Sequence, residues 1–269
     1  MSIYRSIFIS VLLMISQSGQ GQVAATVLDM QQQQGEQQRN FSLYLSQDSV
    51  ANLNEQQQLQ ELYDRSTKTL YVLDYQQQNY RSFSLLKAKI YADALQAMFA
   101  KFEKKLEQLP ESQRQKQTDR LNQFFNGGKD GRLVKSQYNA TAQQGQFAGV
   151  SCDWYEIHEQ QELKGRTCIA NPSSIKNGTA LLEMLQTMNE IYSLVIGSVQ
   201  GKLHLNMPNN PMAPLAKLGK IPLNIERQTS GLEMQLVSVQ EVSVETSIFS
   251  LPENFTEIID DMDNPLTIP

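Results

Sequence analysis

The chain has 269 residues, 40% of them hydrophobic, and a net charge of −5 from 23 basic and 28 acidic side chains. That length and apolar content suffice for one large domain with a substantial core. The acidic balance excludes a nucleic-acid face, which needs a stripe of Lys and Arg interleaved with aromatics; the densest basic cluster, Lys101, Lys104 and Lys105, lies beside Glu103 and Glu107, the pattern of a solvated helix face.

The first segment has the layout of a signal peptide. Arg5 supplies a positive start, Ser6 to Ile15 is apolar apart from two serines, and Gly19, Gln20 and Gly21 offer a small-residue cleavage site. Residues 1–21 are the expected leader, with cleavage after Gly21 or, alternatively, after Ala25. The apolar run is about half of the roughly 20 residues that span a bilayer, no cysteine stands near either cut for lipid attachment, and no later stretch is long and apolar enough to cross. The expected product is exported, soluble and not membrane-spanning, with the periplasm as its compartment and secretion as the alternative. Residues 22–252 are expected to form one domain and 253–269 an acidic tail.

Glutamine replaces much of the missing apolar content, at Gln31 to Gln34, Gln37 and Gln38, Gln56 to Gln58 and Gln76 to Gln78; these clusters predict long polar loops. Between them, Val23 to Met30, Phe41 to Val50, Thr67 to Asp74 and Asn79 to Phe83 predict strands, the last two joined by a hairpin at Tyr75 to Gln78. From Leu85 the period becomes helical. Tyr91, Leu95, Met98, Phe102, Leu106 and Leu109 share one face. Pro110 ends that helix and opens a polar second one over Glu111 to Phe125, which predicts a helical hairpin over about 85–126.

Cys152 and Cys168 are the only cysteines, and in an exported chain they are expected to be joined. Ser151 to His158 alternates Cys152, Trp154, Glu156 and His158 against Asp153, Tyr155 and Ile157, so the bridge fits across an antiparallel hairpin. A redox-active pair is the alternative, but the Cys-X-X-Cys spacing that lowers a thiol pKa is missing. A third helix over about 179–200 carries Leu181, Leu185, Met188, Tyr192, Val195 and Val199 on one stripe. Ile221 to Gln228 and Leu232 to Ile248 flank Ser230 and Gly231 as a last hairpin.

Chemistry-bearing patterns are few. Glu156, His158 and Glu162 offer a weak three-ligand metal constellation, and Asp260, Asp261 and Asp263 lack the glycine and terminal glutamate of an EF-hand loop. His158 and His204 are the only histidines and neither lies in a nucleophile context. No cofactor, metal or enzymatic activity is expected.

The order of an exported start, Leu70-Tyr-Val-Leu-Asp74 with Tyr80 after it, a helical break at Pro110, Gly149-Val-Ser-Cys-Asp-Trp-Tyr155, a long helix, Ile221-Pro222 and Phe249-Ser-Leu-Pro252 resembles an uncharacterised family of bacterial periplasmic proteins. That family is similar in architecture to the lipoprotein-carrier (LolA-type) half-barrels. The resemblance implies an α+β fold, a strongly curved antiparallel sheet with helices on its concave side, and carries over no catalytic residues. Two roles follow as expectations. One is a carrier holding a lipid or other apolar ligand in a cavity lined by Met98, Phe102, Met188 and Tyr192; the other is a structural or interaction protein of the cell envelope with a filled core.

Overall fold

The computed structural model describes residues 21–126, 136–159, 161–199, 213–228 and 231–259. Its fold is α+β, dominated by one large sheet. Six strands come first: β1 (Gln22–Gln34), β2 (Gln37–Leu45), β3 (Ser49–Asn54), β4 (Leu59–Asp64), β5 (Thr69–Asp74) and β6 (Asn79–Phe83). Helices α1 (Leu85–Glu107) and α2 (Glu111–Asn126) follow, then β7 (Ser136–Phe147), β8 (Val150–Glu159) and β9 (Glu162–Ala170). Helices α3 (Gly178–Val199) and α4 (Ala213–Leu218) precede β10 (Ile221–Arg227), β11 (Leu232–Glu245) and the short β12 (Thr256–Glu257). The spatial order is β12-β6-β5-β4-β3-β2-β1-β11-β10-β9-β8-β7, an open sheet with β12 and β7 as its edges. All pairings are antiparallel except that of β12 with β6.

The turns show why the chain reverses where it does. Asn54 Oδ1 accepts from the backbone N–H groups of Gln56 and Gln58, and Asp74 Oδ1 from those of Gln76 and Gln77, the local capping that lets a short polar side chain close a turn. Gln76 to Gln78 therefore form the expected hairpin turn, and Gln56 to Gln58 a short turn between β3 and β4 rather than a long loop. Gln31 to Gln34 and Gln37 to Gln38 are not loops. They prolong β1 and β2 as a two-stranded arm, Gln34 facing Gln37 across the turn at Gly35, because backbone pairing with β11 on the other side supports strand geometry that the side chains do not favour. Phe41 to Val50 is likewise two strands, split where Ser46 Oγ accepts from the N–H groups of Asp48 and Ser49.

Ser84 caps α1 by accepting from the Lys87 N–H at 3.3 Å. The face of α1 that is buried carries Ala88, Ala92, Leu95, Phe99 and Leu106, rotated slightly from the predicted stripe, and Leu95 and Phe99 pack against Val195 and Ile196 of α3. Helix α3 packs along α1, and α2 follows α1 after a break at Pro110. The main core joins Leu28, Leu45, Tyr63, Cys168, Ile221 and Leu223 of the sheet to Ala180, Leu181, Met184 and Leu185 of α3. Two contacts pin α3 to β4. Tyr63 and Thr187 share a buried hydrogen bond of 2.9 Å, and Arg65 clamps the Glu183 carboxylate through Nε at 2.8 Å and a terminal nitrogen at 2.6 Å.

Cys152 and Cys168 form a disulfide with Cα atoms 5.5 Å apart. Cys168 faces Trp154 in the β8–β9 register, so the bridge joins diagonal neighbours. Gly145 on β7 faces Cys152, and a Cβ there would lie 2.9 Å from Cys168 Sγ; the missing side chain makes room for the bridge. Three strands separate β7 from β11, yet their Cα atoms come within 8 Å. The acidic tail begins bound rather than free. Phe255 packs edge-on against Tyr75 at 4.9 Å, and the N–H groups of Thr256 and Ile258 donate to the carbonyls of Gln78 and Tyr80.

Candidate functional site

An apolar concavity lies where α1, α3 and the end of the β5–β6 hairpin meet. Its volume is about 360 Å³, inside the roughly 300–1,000 Å³ range of small-molecule sites. Helical periodicity builds two of its walls: Met188, Ile191, Tyr192 and Val195 recur at i, i+3, i+4 and i+7 on α3, and Ala88 and Tyr91 face them from α1. Leu70 and Phe83 supply the sheet side. Burial pushes the Tyr192 phenol above its ordinary range, which keeps it neutral.

The polar groups of this concavity gather at one place. Ser82, Ser84 and Lys87 also line it, and the Lys87 ammonium donates to Ser82 Oγ and, at 2.5 Å, to Glu257 Oε1. Ser82 Oγ donates in turn to the same carboxylate. Lys87 and Ser82 hold the Glu257 carboxyl below its usual range. Glu257 reaches this point only because β12 runs beside β6 and places it opposite Tyr80.

Of the four residues predicted to line a cavity, Met188 and Tyr192 do so. Met98 packs instead against Leu95 and Phe99 beside Val195 and Ile196, and Phe102, farther along α1, lies half-buried outside this lining. Lys87, Ser82 and Glu257 were not singled out by the sequence, since an isolated Lys or Glu carries no signal until the β12–β6 pairing brings them together.

A second, more polar groove of about 500 Å³ runs over β7 to β10. Arg166 lies 4.5 Å over the Trp154 ring and pairs with Glu226 at 2.6 Å, so its charges satisfy one another. At its margin Glu156 Oε2 meets His158 Nε2 at 2.8 Å. Glu162, the third member of the predicted constellation, turns to Lys164 instead, and among the described residues no cluster of three or more His, Cys, Asp or Glu side chains could hold a metal. Asp260, Asp261, Asp263 and His204 lie outside the described residues. Among the described residues, no helix is long and apolar enough to cross a membrane.

No protein-family model matches the chain, and no curated protein matches it. Among solved structures, one described as "Structure of PNGF-II in C2 space group" aligns over 87% of this chain and 31% of that one, with 10% identity and a TM-score of 0.37. The chain thus spans about a third of that neighbour's length.

Proposed function

We propose that the protein is an exported, non-enzymatic binding or carrier module that holds a lipid or other apolar ligand between its helices and its sheet. The observation that carries this reading is the concavity between α1 and α3, whose walls are apolar and whose polar groups cluster at one site. A disulfide in a chain with a leader-like start supports an oxidising compartment, the periplasm. A half-barrel curvature, as in the LolA-type carriers, belongs to the same proposal. It is supported by the approach of β7 to β11, because four spacings of about 4.8 Å would hold them about 19 Å apart in a flat sheet.

The envelope-interaction role is the second reading, favoured by one observation: the N-terminal half of α3 fills its part of the core, with Ala180, Leu181, Met184 and Leu185 all buried. Native mass spectrometry of mature protein isolated from its own periplasm without detergent separates the two. A stoichiometric adduct of lipid mass is expected. A clean ligand-free mass, with no uptake of an apolar dye, overturns the carrier reading and leaves the interaction role.

A further inference from the structure

At one end of the apolar concavity Lys87 and Ser82 hold the chain's own Glu257 carboxylate. Lys87 and Ser82 line the concavity and both contact Glu257 Oε1. The amino end of α1 lies at the same site, since Ser84 is its cap and also lines the space, and the first turn of α1 contains no acidic side chain that would compete for its dipole. Charge, hydroxyl and helix end therefore converge where the apolar walls stop. An uncharged hydrocarbon leaves this arrangement unused. A ligand with a long apolar body and one carboxylate head uses all of it.

We propose that the site takes a single-chain carboxylate, a fatty-acid-like ligand whose head is received by Lys87 and Ser82, and that Glu257 occupies the head position in the ligand-free protein. The proposal rests on the carrier reading above and names its ligand class and its gate. The choice of a carboxylate over other anions follows from the group already in place, which is a carboxylate held by these same two side chains. The exchange is undemanding. The Glu257 side chain keeps 33% of its exposure, and a pair this exposed is weakly held. The β12 strand need not detach, because its backbone bonds to Gln78 and Tyr80 leave the Glu257 side chain free to rotate into solvent. The ligand thus replaces a partly solvent-exposed carboxylate by one that its own bound chain shields from water, which strengthens the pairing with Lys87, and it gains the burial of that chain.

The test uses the mature full-length protein and the uncharged dye N-phenyl-1-naphthylamine, displaced by dodecanoate or by 1-dodecanol. Dodecanoate is expected to displace the dye at about a tenfold lower concentration than the alcohol, the scale of one charge-assisted hydrogen bond. Lys87→Met should bring the two competitors together, Lys87→Arg should restore the preference, and Glu257→Gln should favour dodecanoate further, by several-fold relative to the alcohol. Equal displacement by acid and alcohol in the unaltered protein overturns the head-group assignment while the carrier reading stands. A preference that survives Lys87→Met, or dodecyl phosphate far outcompeting dodecanoate, overturns it too. A dye that does not bind at all removes the cavity as a site, and both readings fall.

Discussion

Tyr63 of β4 and Thr187 of α3 share a hydrogen bond of 2.9 Å between residues 124 apart in sequence. Tyr63 is fully buried and Thr187 is 5% exposed. Burial raises the Tyr63 pKa, so the phenol stays protonated and able to donate. This bond fixes α3 on the sheet just ahead of the cavity wall at Met188.

Replacing Tyr63 with Phe should therefore destabilise the protein by about 1–3 kcal/mol, since Thr187 Oγ1 is left buried without its partner. Adding Thr187→Val should recover part of the loss, because both polar partners are then gone. Denaturant unfolding of the single and double variants checks this, and equal losses in the two would refute it.

The Arg65–Glu183 clamp makes stability depend on pH. The Arg65 guanidinium holds the Glu183 carboxyl below the ordinary carboxylate range. A carboxyl whose folded pKa is depressed stabilises above its unfolded pKa, and the contribution disappears as pH falls through the folded one. With Glu183 41% exposed, the pair is worth at most about 1 kcal/mol. Thermal melts from about pH 6 to pH 3 should lose less stability in Glu183→Gln than in the unaltered protein; parallel curves would show that the clamp contributes nothing.

Cys152 and Cys168 are 4% and 0% exposed, so mild reductant should leave them joined in the folded state. Double replacement by Ser should cost about 3 kcal/mol for a loop of this length, roughly 6–12 °C in melting temperature. Peptide mapping should recover the linked pair. Ready reduction in the folded protein would favour the redox-active alternative.

Three glycines should respond with different signs. Gly145→Ala sets a methyl 2.7 Å from Trp154 Nε1 and 2.9 Å from Cys168 Sγ, an overpacking of about 1–3 kcal/mol. Gly165→Ala should cost more, since the obstacle is the Glu226 carbonyl at 2.1 Å and backbone yields less readily than a side chain. Gly197→Ala on α3 meets nothing within 4 Å and should stabilise by about 0.5–1 kcal/mol through helix propensity. Melting temperatures of the three variants are the readout.

Sequence periodicity was informative wherever apolar residues alone set the structure. The helical switch at Leu85, the break at Pro110, the Tyr75 to Gln78 hairpin and the Cys152–Cys168 hairpin all carry local signals. So do Met188 and Tyr192 of the candidate site. What escaped depends on partners distant in sequence. Strand β7 reads SQYNATAQQGQF, whose alternation is only Tyr138, Ala140 and Ala142, too weak a signal by itself, and it pairs with β8. The Gln arm is extended because β11 supports β1. Helix α1 buries Ala88 and Ala92, and alanine adds little to an apolar count. The head-group cluster joins residues 170 and 175 apart in sequence, beyond any local pattern.

The placement of β1 governs how the chain can assemble. The first strand is central, between β2 and β11, and its end is tied to Ser243 by a bond spanning 221 residues. The sheet therefore cannot be completed from its amino-terminal half alone: β1 keeps one side unsatisfied until β11 arrives, and such non-local closure makes folding slow. A chain threaded through a membrane amino end first would remain incompletely folded until almost all of it had crossed, and an exposed, glutamine-rich strand edge would be its vulnerable point throughout.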